Sequence, residues 1–242
     1  MTAFDVIEAA VAADLVDEDG ERVVWKALPG LTSDQIIALE GDLGFRLPGE
    51  LRDLLPRCAG IDGPLDGIDF TGRSLGGFGM DEIFPRNIPI AHDGFGNYWV
   101  LDVAQEGMPV ASVFFACHDV PVVLYQSDGI AAFLGEVLRM YQPPHKSLID
   151  DVHADRLFDV WRKNPSTLTV ADAVLRDEVL RAFAATLDQR FTIVDLRGVR
   201  PGMGFSWGRY GPRTEVRRHG DLPIFAYAAP PKRSLLSRLT GR

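Results

Sequence analysis

Residues 204–208 have the sequence Gly-Phe-Ser-Trp-Gly, which matches the G-x-S-x-G pattern that holds the nucleophilic serine of α/β-hydrolases. That chemistry needs a strand before Ser206, a helix after it, and an acidic residue and a histidine later in the chain. The sequence Arg-Tyr-Gly-Pro at 209–212 does not favour a helix. His219 is the only histidine that follows, and residues 209–242 are too few for the remaining hydrolase strands. We therefore interpret the segment as a glycine-rich turn and predict no catalytic residue.

Two histidine–aspartate pairs, His92-Asp93 and His118-Asp119, could supply ligands to a metal ion. Each pair follows a short apolar run typical of a strand, whereas metal-dependent phosphohydrolases carry such pairs on helices. No two histidines are four residues apart, the spacing that places both on one helix face. The glycine-rich segment 74–79 lacks the Lys-Ser/Thr sequence of a phosphate-binding loop. The sequence predicts neither a metal site nor a cofactor.

The elements that must position these residues begin with three predicted helices before residue 60. The first follows Thr2, the second follows the cluster Thr32-Ser33-Asp34, and the third begins at Pro48. Apolar residues recur in each at helical spacing. Their predicted buried residues are Phe4, Ile7, Val11 and Leu15; Ile36, Leu39 and Leu43; and Leu51, Leu54, Leu55 and Cys58.

Four short apolar runs follow at 88–92, 98–103, 110–117 and 121–127. The segments between them are too short for parallel crossovers, which need about a dozen residues. The runs therefore predict an antiparallel β-meander. A helix capped by Ser127 or Asp128 closes it, because apolar residues from Ile130 to Tyr141 follow the 3.6-residue period.

Pro143-Pro144 marks the expected domain boundary, because neither residue can continue a helix. We predict a first domain at 1–142, a smaller C-terminal α+β module at 146–230 and a basic tail at 231–242. The module should contain helices at about 148–161 and 175–187. Its expected strands lie near 191–196, 205–207, 214–218 and 224–228.

Charge is distributed unevenly along the chain of 242 residues, whose net charge is −9. Residues 1–150 contain 24 Asp and Glu against 9 Lys and Arg, a net charge of −15. Residues 151–242 contain 10 against 16, a net charge of +6. An acidic N-terminal part repels nucleic acid and membrane surfaces and attracts basic proteins. The expected partner is therefore a basic protein, with no nucleic acid and no membrane.

The composition also predicts where the protein works. No apolar run approaches the ~18 residues that a membrane helix needs. The first twenty residues are acidic, unlike a secretory signal. Cys58 and Cys117 are expected to be buried, reduced thiols. These features predict a cytoplasmic protein.

Four blocks of sequence resemble the SUKH superfamily, which includes the fungal Smi/Knr-type regulators of cell-wall glucan synthesis. They are Leu28-Pro29-Gly30-Leu31-Thr32; residues 43–55, similar to LGxxLPxxYRxLL; residues 88–102, similar to IPIAxDGxGNxxxLD; and His118-Asp119 followed by Phe133-Leu134. Leu51 stands where an aromatic residue is common. The resemblance covers about residues 20–141. It implies an α+β fold, a SUKH-like antiparallel meander sheet flanked by helices.

The resemblance also implies non-catalytic binding. Many bacterial members are immunity proteins that bind and block toxins, and fungal members act as regulatory partners. We therefore predict a non-enzymatic immunity protein that neutralises a cognate bacterial toxin through an acidic surface. The alternative is a regulatory or scaffold protein that binds a host protein, and an enzyme of unknown type is a third hypothesis.

The segment 93–97, Asp-Gly-Phe-Gly-Asn, has two interpretations. Its glycines allow positive φ and its Asp and Asn can bond to the turn backbone, so the segment can simply shape a hairpin. Loops also carry function, and aromatic residues dominate interfaces. On that second interpretation the predicted partner-binding residues are Asp93, Phe95, Asn97, Trp99, Asp119, Asp81 and Glu82. The acidic runs Asp17-Glu18-Asp19, Asp81-Glu82 and Asp150-Asp151 are either solvated surface or contacts for a basic protein.

Overall fold

The computed structural model describes residues 1–75, 80–103, 106, 108, 110–165 and 167–231. The helices are α1 Ala3–Ala12, α2 Ser33–Leu43, α3 Gly49–Leu54, α4 Ile130–Met140, α5 Leu148–Asp150, α6 Leu157–Lys163, α7 Val170–Val174 and α8 Glu178–Ala184. A π-helical segment, Asp151–Arg156, joins α5 to α6. The predicted basic tail lies outside the described residues apart from Pro231.

The strands fall into four sheets. They are β1 Leu15–Val16, β2 Arg22–Val23, β3 Lys26–Pro29, β4 Cys58–Asp62, β5 Ile68–Asp69, β6 Asn87–His92, β7 Tyr98–Asp102, β8 Ser112–Cys117, β9 Val122–Ser127, β10 Thr167–Thr169, β11 Thr192–Asp195, β12 Gly204–Phe205, β13 Glu215–Arg218 and β14 Ile224–Ala228. Within the described residues, no helix combines the length and apolar character needed to cross a bilayer.

The central sheet has the order β12-β9-β8-β7-β6, and all its neighbours are antiparallel. Strands β6 to β9 are hydrogen-bonded in sequence order, as the short connections between the apolar runs predict. The α+β class and the meander are therefore confirmed. The C-terminal sheet has the order β10-β11-β14-β13 and is also antiparallel.

One face of the central sheet packs against helices. Side chains alternate along a strand, so Val113 and Phe115 of β8 point to this face. They join a core formed by the apolar sides of α1 to α4. The same core includes Ile149 and Val160, which lie beyond the predicted boundary at Pro143-Pro144.

The other face of the central sheet packs against the C-terminal sheet. Phe114 of β8 lies here with Val123 and Tyr125 of β9, and they contact Phe205 and Phe225 from the C-terminal part. All six residues of β9 are buried, so this strand is covered on both faces. The first four residues of β9 are apolar, as in other strands covered on both faces, and the last two, Gln126 and Ser127, are buried polar residues.

The described structure therefore has four layers in the order helices, central sheet, C-terminal sheet and a second set of helices. The last layer is α7 and α8, whose Val170, Leu180 and Phe183 pack on Ile193 and Ala226 of the C-terminal sheet. β12 extends the central sheet by pairing with β9.

The division into two domains, residues 1–142 and 146–230, stays a prediction, because shared packing does not show which part folds alone.

A buried ion pair also joins the two parts. Both guanidinium Nη atoms of Arg218 donate to the Asp102 carboxylate, at 2.9 and 2.8 Å, and each side chain is 4% exposed. Arg218 also donates to the carbonyls of Ile83, Asp221 and Leu222. Burial raises the pKa of Asp102, and Arg218 opposes that increase.

Three local predictions are corrected. Val11 was predicted to be buried but is 51% exposed, because Ala3, Val6, Ile7 and Ala10 form the buried side of α1. The third helix ends at Leu54, and Cys58 begins strand β4 rather than completing the helical pattern. Neither Ser127 nor Asp128 caps α4. The Glu50 carboxylate instead accepts hydrogen bonds from the amides of Ile130 and Ala131, at 2.9 and 2.7 Å.

Candidate partner-binding site

The turn between β6 and β7 is held by the Asp93 carboxylate. Its Oδ1 accepts hydrogen bonds from the amides of Phe95 and Asn97, at 2.9 and 3.2 Å. Its Oδ2 accepts one from the Asn97 side chain at 2.6 Å. Gly94 and Gly96 have φ of 77° and 88°, which favours glycine. The tight turn leaves Phe95 76% exposed at its tip.

Asn97 connects this turn to the turn between β8 and β9. Its Oδ1 accepts a hydrogen bond from the His118 amide at 2.9 Å. A Cβ on Gly96 would lie 2.9 Å from His118 Cε1, so glycine at this position lets the His118 ring lie against the turn. Asp119, whose side chain is 67% exposed, contacts His118 Nε2 at 3.2 Å. Phe95 and Asp119 therefore lie on adjoining turns at one end of the sheet.

The π-helical segment adds His153 to the same end of the sheet. Its Nε2 lies 3.1 Å from Asp93 Oδ2. Its ring stacks on Trp99 at 5.9 Å between centroids and meets Phe115 edge-on at 5.1 Å. Burial alone would raise the pKa of Asp93, but hydrogen bonds from Asn97, the Phe95 amide and His153 hold that pKa below its ordinary value.

An acidic face adjoins the turn. We define it by five carboxylates: Asp17, Asp66 and Asp150, whose charges act on Tyr141, and Glu18 and Asp151, whose charges act on Asp150. A Cβ on Gly94 would lie 3.2 Å from the Asp66 carboxylate, which places this face against the β6–β7 turn.

The carboxylates of the acidic face lie close enough to act on one another. Burial raises the pKa of Tyr141, and the charges of Asp150, Asp17 and Asp66 raise it further. Burial likewise raises the pKa of Asp150, and Glu18 and Asp151 add to the increase while His153 opposes it. Among the residues that the structure describes, none of the five carboxylates forms an ion pair with Lys or Arg. The face therefore has uncompensated negative charge.

The turn that carries Asp66 has unusual backbone geometry. Leu65 and Asp66 have φ of 49° and 55°, in the left-handed region. Aspartate tolerates this conformation, whereas leucine rarely adopts it. Such strain costs about 1–3 kcal/mol and is concentrated at binding sites. The geometry presents Asp66 to solvent beside the hairpin.

The predicted site residues fall into three groups. Phe95 and Asp119 are exposed on the adjoining turns, next to the acidic face. Asn97 and Trp99 are 6% and 2% exposed, so any effect they have on a partner is through the shape of the turn. The side chain of Asp93 is only 7% exposed and belongs with these two.

Asp81 and Glu82 form the third group and are exposed at the other end of β6. That strand has six residues, and a strand rises about 3.3 Å per residue, so it separates the two ends by about 20 Å. The structure therefore does not bring this pair together with Phe95 and Asp119. Their part in binding stays a prediction.

Sequence reasoning missed His153 and Asp66. His153 lies in an ordinary amphipathic stretch, and nothing local indicates its contact with Asp93, 60 residues away. The acidic pairs at 17–18 and 150–151 were visible in the sequence as separate runs. Only the tertiary structure brings the two pairs together, since Asp17 acts on Tyr141 and Glu18 acts on Asp150.

The segments considered for catalysis have structural roles. Ser206 is fully buried, and its Oγ donates to the Pro121 carbonyl at 3.2 Å. A Cβ on Gly204 would lie 2.0 Å from the Val123 carbonyl oxygen, so glycine is required where β12 meets β9. His92 Nδ1 accepts a hydrogen bond from the Gly94 amide at 3.0 Å. The described residues contain no group of three His, Cys, Asp or Glu placed to hold a metal ion.

Comparison with known proteins gives one family match. The model of the SMI1 / KNR4 family (SUKH-1) matches residues 30–136. The matched segment includes α2, α3, the four meander strands and the β6–β7 turn. No family match covers the C-terminal part. No curated protein and no solved structure matches the chain.

Proposed function

Because residues 30–136 form a domain of the SMI1 / KNR4 family (SUKH-1), we propose that this protein binds and neutralises a cognate bacterial toxin without catalysis. Domains of this family are often toxin immunity proteins, and the family is generally non-catalytic. The proposed binding surface is the acidic face together with the exposed turns that carry Phe95 and Asp119.

The uncompensated charge of the acidic face is the observation that carries this proposal. Like charges held close together repel, and a basic partner relieves that repulsion on binding. Charged surfaces of this kind mainly accelerate encounter. Beyond about 8–10 Å, the Debye length at physiological salt, their attraction is largely screened, so it acts mainly at closer range.

Phe95 supplies the complementary apolar contact. Aromatic side chains that enter a pocket on the partner account for much of the binding energy at interfaces. The hydrogen bonds of Asp93 fix the turn, so little conformational entropy is lost when Phe95 is buried. In the proposed mechanism the carboxylates speed capture of the toxin, Phe95 slows its release, and the bound domain blocks the active site or substrate groove.

Co-expression with the product of the neighbouring reading frame tests the proposal. The wild-type chain should restore growth to cells that make that product. Phe95→Ala should weaken the rescue, because it removes the aromatic contact and leaves the turn intact. Phe158→Ala is the matched control, because Phe158 is also exposed but lies on α6.

Two outcomes would contradict the proposal. In the first, the wild-type chain does not restore growth and instead captures a host protein from the native cell. That result would support the regulatory alternative. The second is equal rescue by wild type and Phe95→Ala. If neutralising Asp81 and Glu82 weakens rescue while Phe95→Ala does not, the binding surface lies at the opposite end of the sheet.

A further inference from the structure

A cleft of about 540 Å³ lies between α6 and the loop that precedes β12. Arg156, Lys163 and Arg200 line it together with a single carboxylate, Asp159. Among the described lining residues, cations outnumber acids by three to one. This is the opposite charge to that of the acidic face.

Part of this positive charge is not paired with a carboxylate in the described structure. Asp159 bonds to Lys163 at 2.9 Å and lies 3.8 Å from Arg156. The hydrogen bond from Lys163 holds the pKa of Asp159 below its ordinary value, so the carboxylate stays ionised. Arg200 is exposed, and its side chain makes no hydrogen bond or ion pair to the residues that the structure describes. One carboxylate is thus shared by two cations, and a third cation has no partner in the described structure.

The cleft also has an apolar lining and a fixed shape. Leu148 and Met203 contribute apolar surface, and Val160 closes the base. Gly202 has φ of 83°, and a Cβ there would lie 2.6 Å from Arg156 Cγ. Glycine at this position therefore lets the aliphatic part of Arg156 lie across the cleft. This contact orients a long side chain that would otherwise be free.

We propose that this cleft binds a short acidic segment of a partner protein that also carries apolar side chains. Carboxylates of the segment would pair with Arg200 and the other two cations, and its apolar side chains would contact Leu148 and Met203. The inference does not rest on the toxin-binding proposal, because it uses other residues and a ligand of opposite charge.

The composition of the cleft argues against the other anionic ligands. Its volume of about 540 Å³ is far larger than one phosphate needs. Aromatic side chains stack bases in single-stranded nucleic acid sites, and the described residues that line this cleft include no aromatic side chain. A net charge of −9 also disfavours a polyanion as long as nucleic acid.

A labelled ten-residue peptide of alternating Glu and Leu tests the proposal, with a Lys-Leu peptide of the same length for comparison. Fluorescence anisotropy with the full chain should show binding of the Glu-Leu peptide that depends on the cations of the cleft, whereas any binding of the Lys-Leu peptide should not depend on them. Lys163→Glu combined with Arg200→Glu should weaken that binding by about tenfold or more, about 1.4 kcal/mol per factor of ten. Arg213→Glu should leave it unchanged, because Arg213 is exposed outside the cleft.

A second variant distinguishes a loss of peptide binding from a loss of folding. Arg200→Ala removes one exposed side chain and should weaken peptide binding without changing the thermal unfolding midpoint. Three results would each overturn the proposal. The first is that the Glu-Leu peptide does not bind, and the second is that Arg213→Glu weakens its binding as much as the double variant does. The third is that Arg200→Ala and the double variant bind the peptide as tightly as the wild type does. So would displacement of the peptide by a single-stranded oligonucleotide that binds more tightly.

Discussion

Asp93 has two roles at the end of the central sheet. It accepts three hydrogen bonds within its own turn, and it contacts His153 from the C-terminal part. The first role orients Phe95, and the second fixes the turn against the π-helical segment. One carboxylate thereby links the proposed binding surface to the packing of the two parts.

Replacing Asp93 by Asn should destabilise the protein. Loss of the charged acceptor from a side chain that is 7% exposed should lower the free energy of unfolding by about 1–3 kcal/mol. Urea unfolding measures this change. Asp119→Asn is the matched control and should change stability by less than about 0.5 kcal/mol, because Asp119 is exposed.

The same variant tests a pH dependence. The pKa of Asp93 is lower in the folded state, so its ionised form stabilises the fold above the unfolded-state pKa. This contribution is lost as pH falls through the lowered pKa. The stability difference between wild type and Asp93→Asn should therefore shrink on acidification below about pH 4. A difference that is constant down to pH 2 would contradict this account of Asp93.

At the residue scale, sequence patterns predicted the turn but not which aromatic side chain it exposes. Glycine, aspartate and asparagine identified 93–97 as a turn, because their backbone preferences are local. Phe95 and Trp99 were grouped as possible contacts, yet the first is 76% exposed and the second 2%. That difference depends on packing against Phe115 and Phe133, which no local pattern contains.

At the scale of elements, α4 shows that a helix can be predicted well while its cap is not. The apolar period from Ile130 to Val137 matches the buried face of the helix. Ser127 Oγ, one of the two expected caps, donates to the Gly129 carbonyl at 3.2 Å. Asp128, the other, accepts a hydrogen bond from Tyr125. Glu50 provides the cap from 80 residues away, so it could not be found by searching near the helix start.

Glu50→Gln tests the long-range cap. A carboxylate at a helix N-terminus stabilises it through hydrogen bonds and the helix dipole, and its loss costs about 1 kcal/mol. Urea unfolding should show that decrease, with faster amide exchange in the first turn of α4. Asp53→Asn on the same helix should have no such effect on α4. Unchanged exchange at Ile130 and Ala131 in Glu50→Gln would contradict the capping role.

At the scale of the whole molecule, the family match ends at residue 136 but the packing continues. Residues beyond it cover the second face of the meander and add β12 to its edge. The ion pair between Asp102 and Arg218 crosses between the matched segment and the unmatched part. The sequence predicted α8 and strands β11 to β14 of the C-terminal part but missed β10 and α7, and its apolar strands do not reveal which sheet they cover.

A double-mutant cycle measures this link. Arg218→Met should cost about 3–5 kcal/mol, because it leaves Asp102 buried without its partner. Asp102→Leu combined with Arg218→Met should recover much of that loss, since no charge is then left buried. The free energies of unfolding should therefore be strongly non-additive. Additive losses would show that the two side chains do not stabilise the fold as a pair.

The rate at which the purified chain captures the toxin encoded beside it tests the central claim most directly. Neutralising the acidic face with Glu18→Gln, Asp66→Asn and Asp151→Asn should lower the association rate constant at low salt by about tenfold, since electrostatic attraction accelerates association by 10-fold or more. The difference should shrink at about 1 M salt, where the Debye length is about 3 Å. An association rate that neither these substitutions nor salt changes would contradict capture through the acidic face.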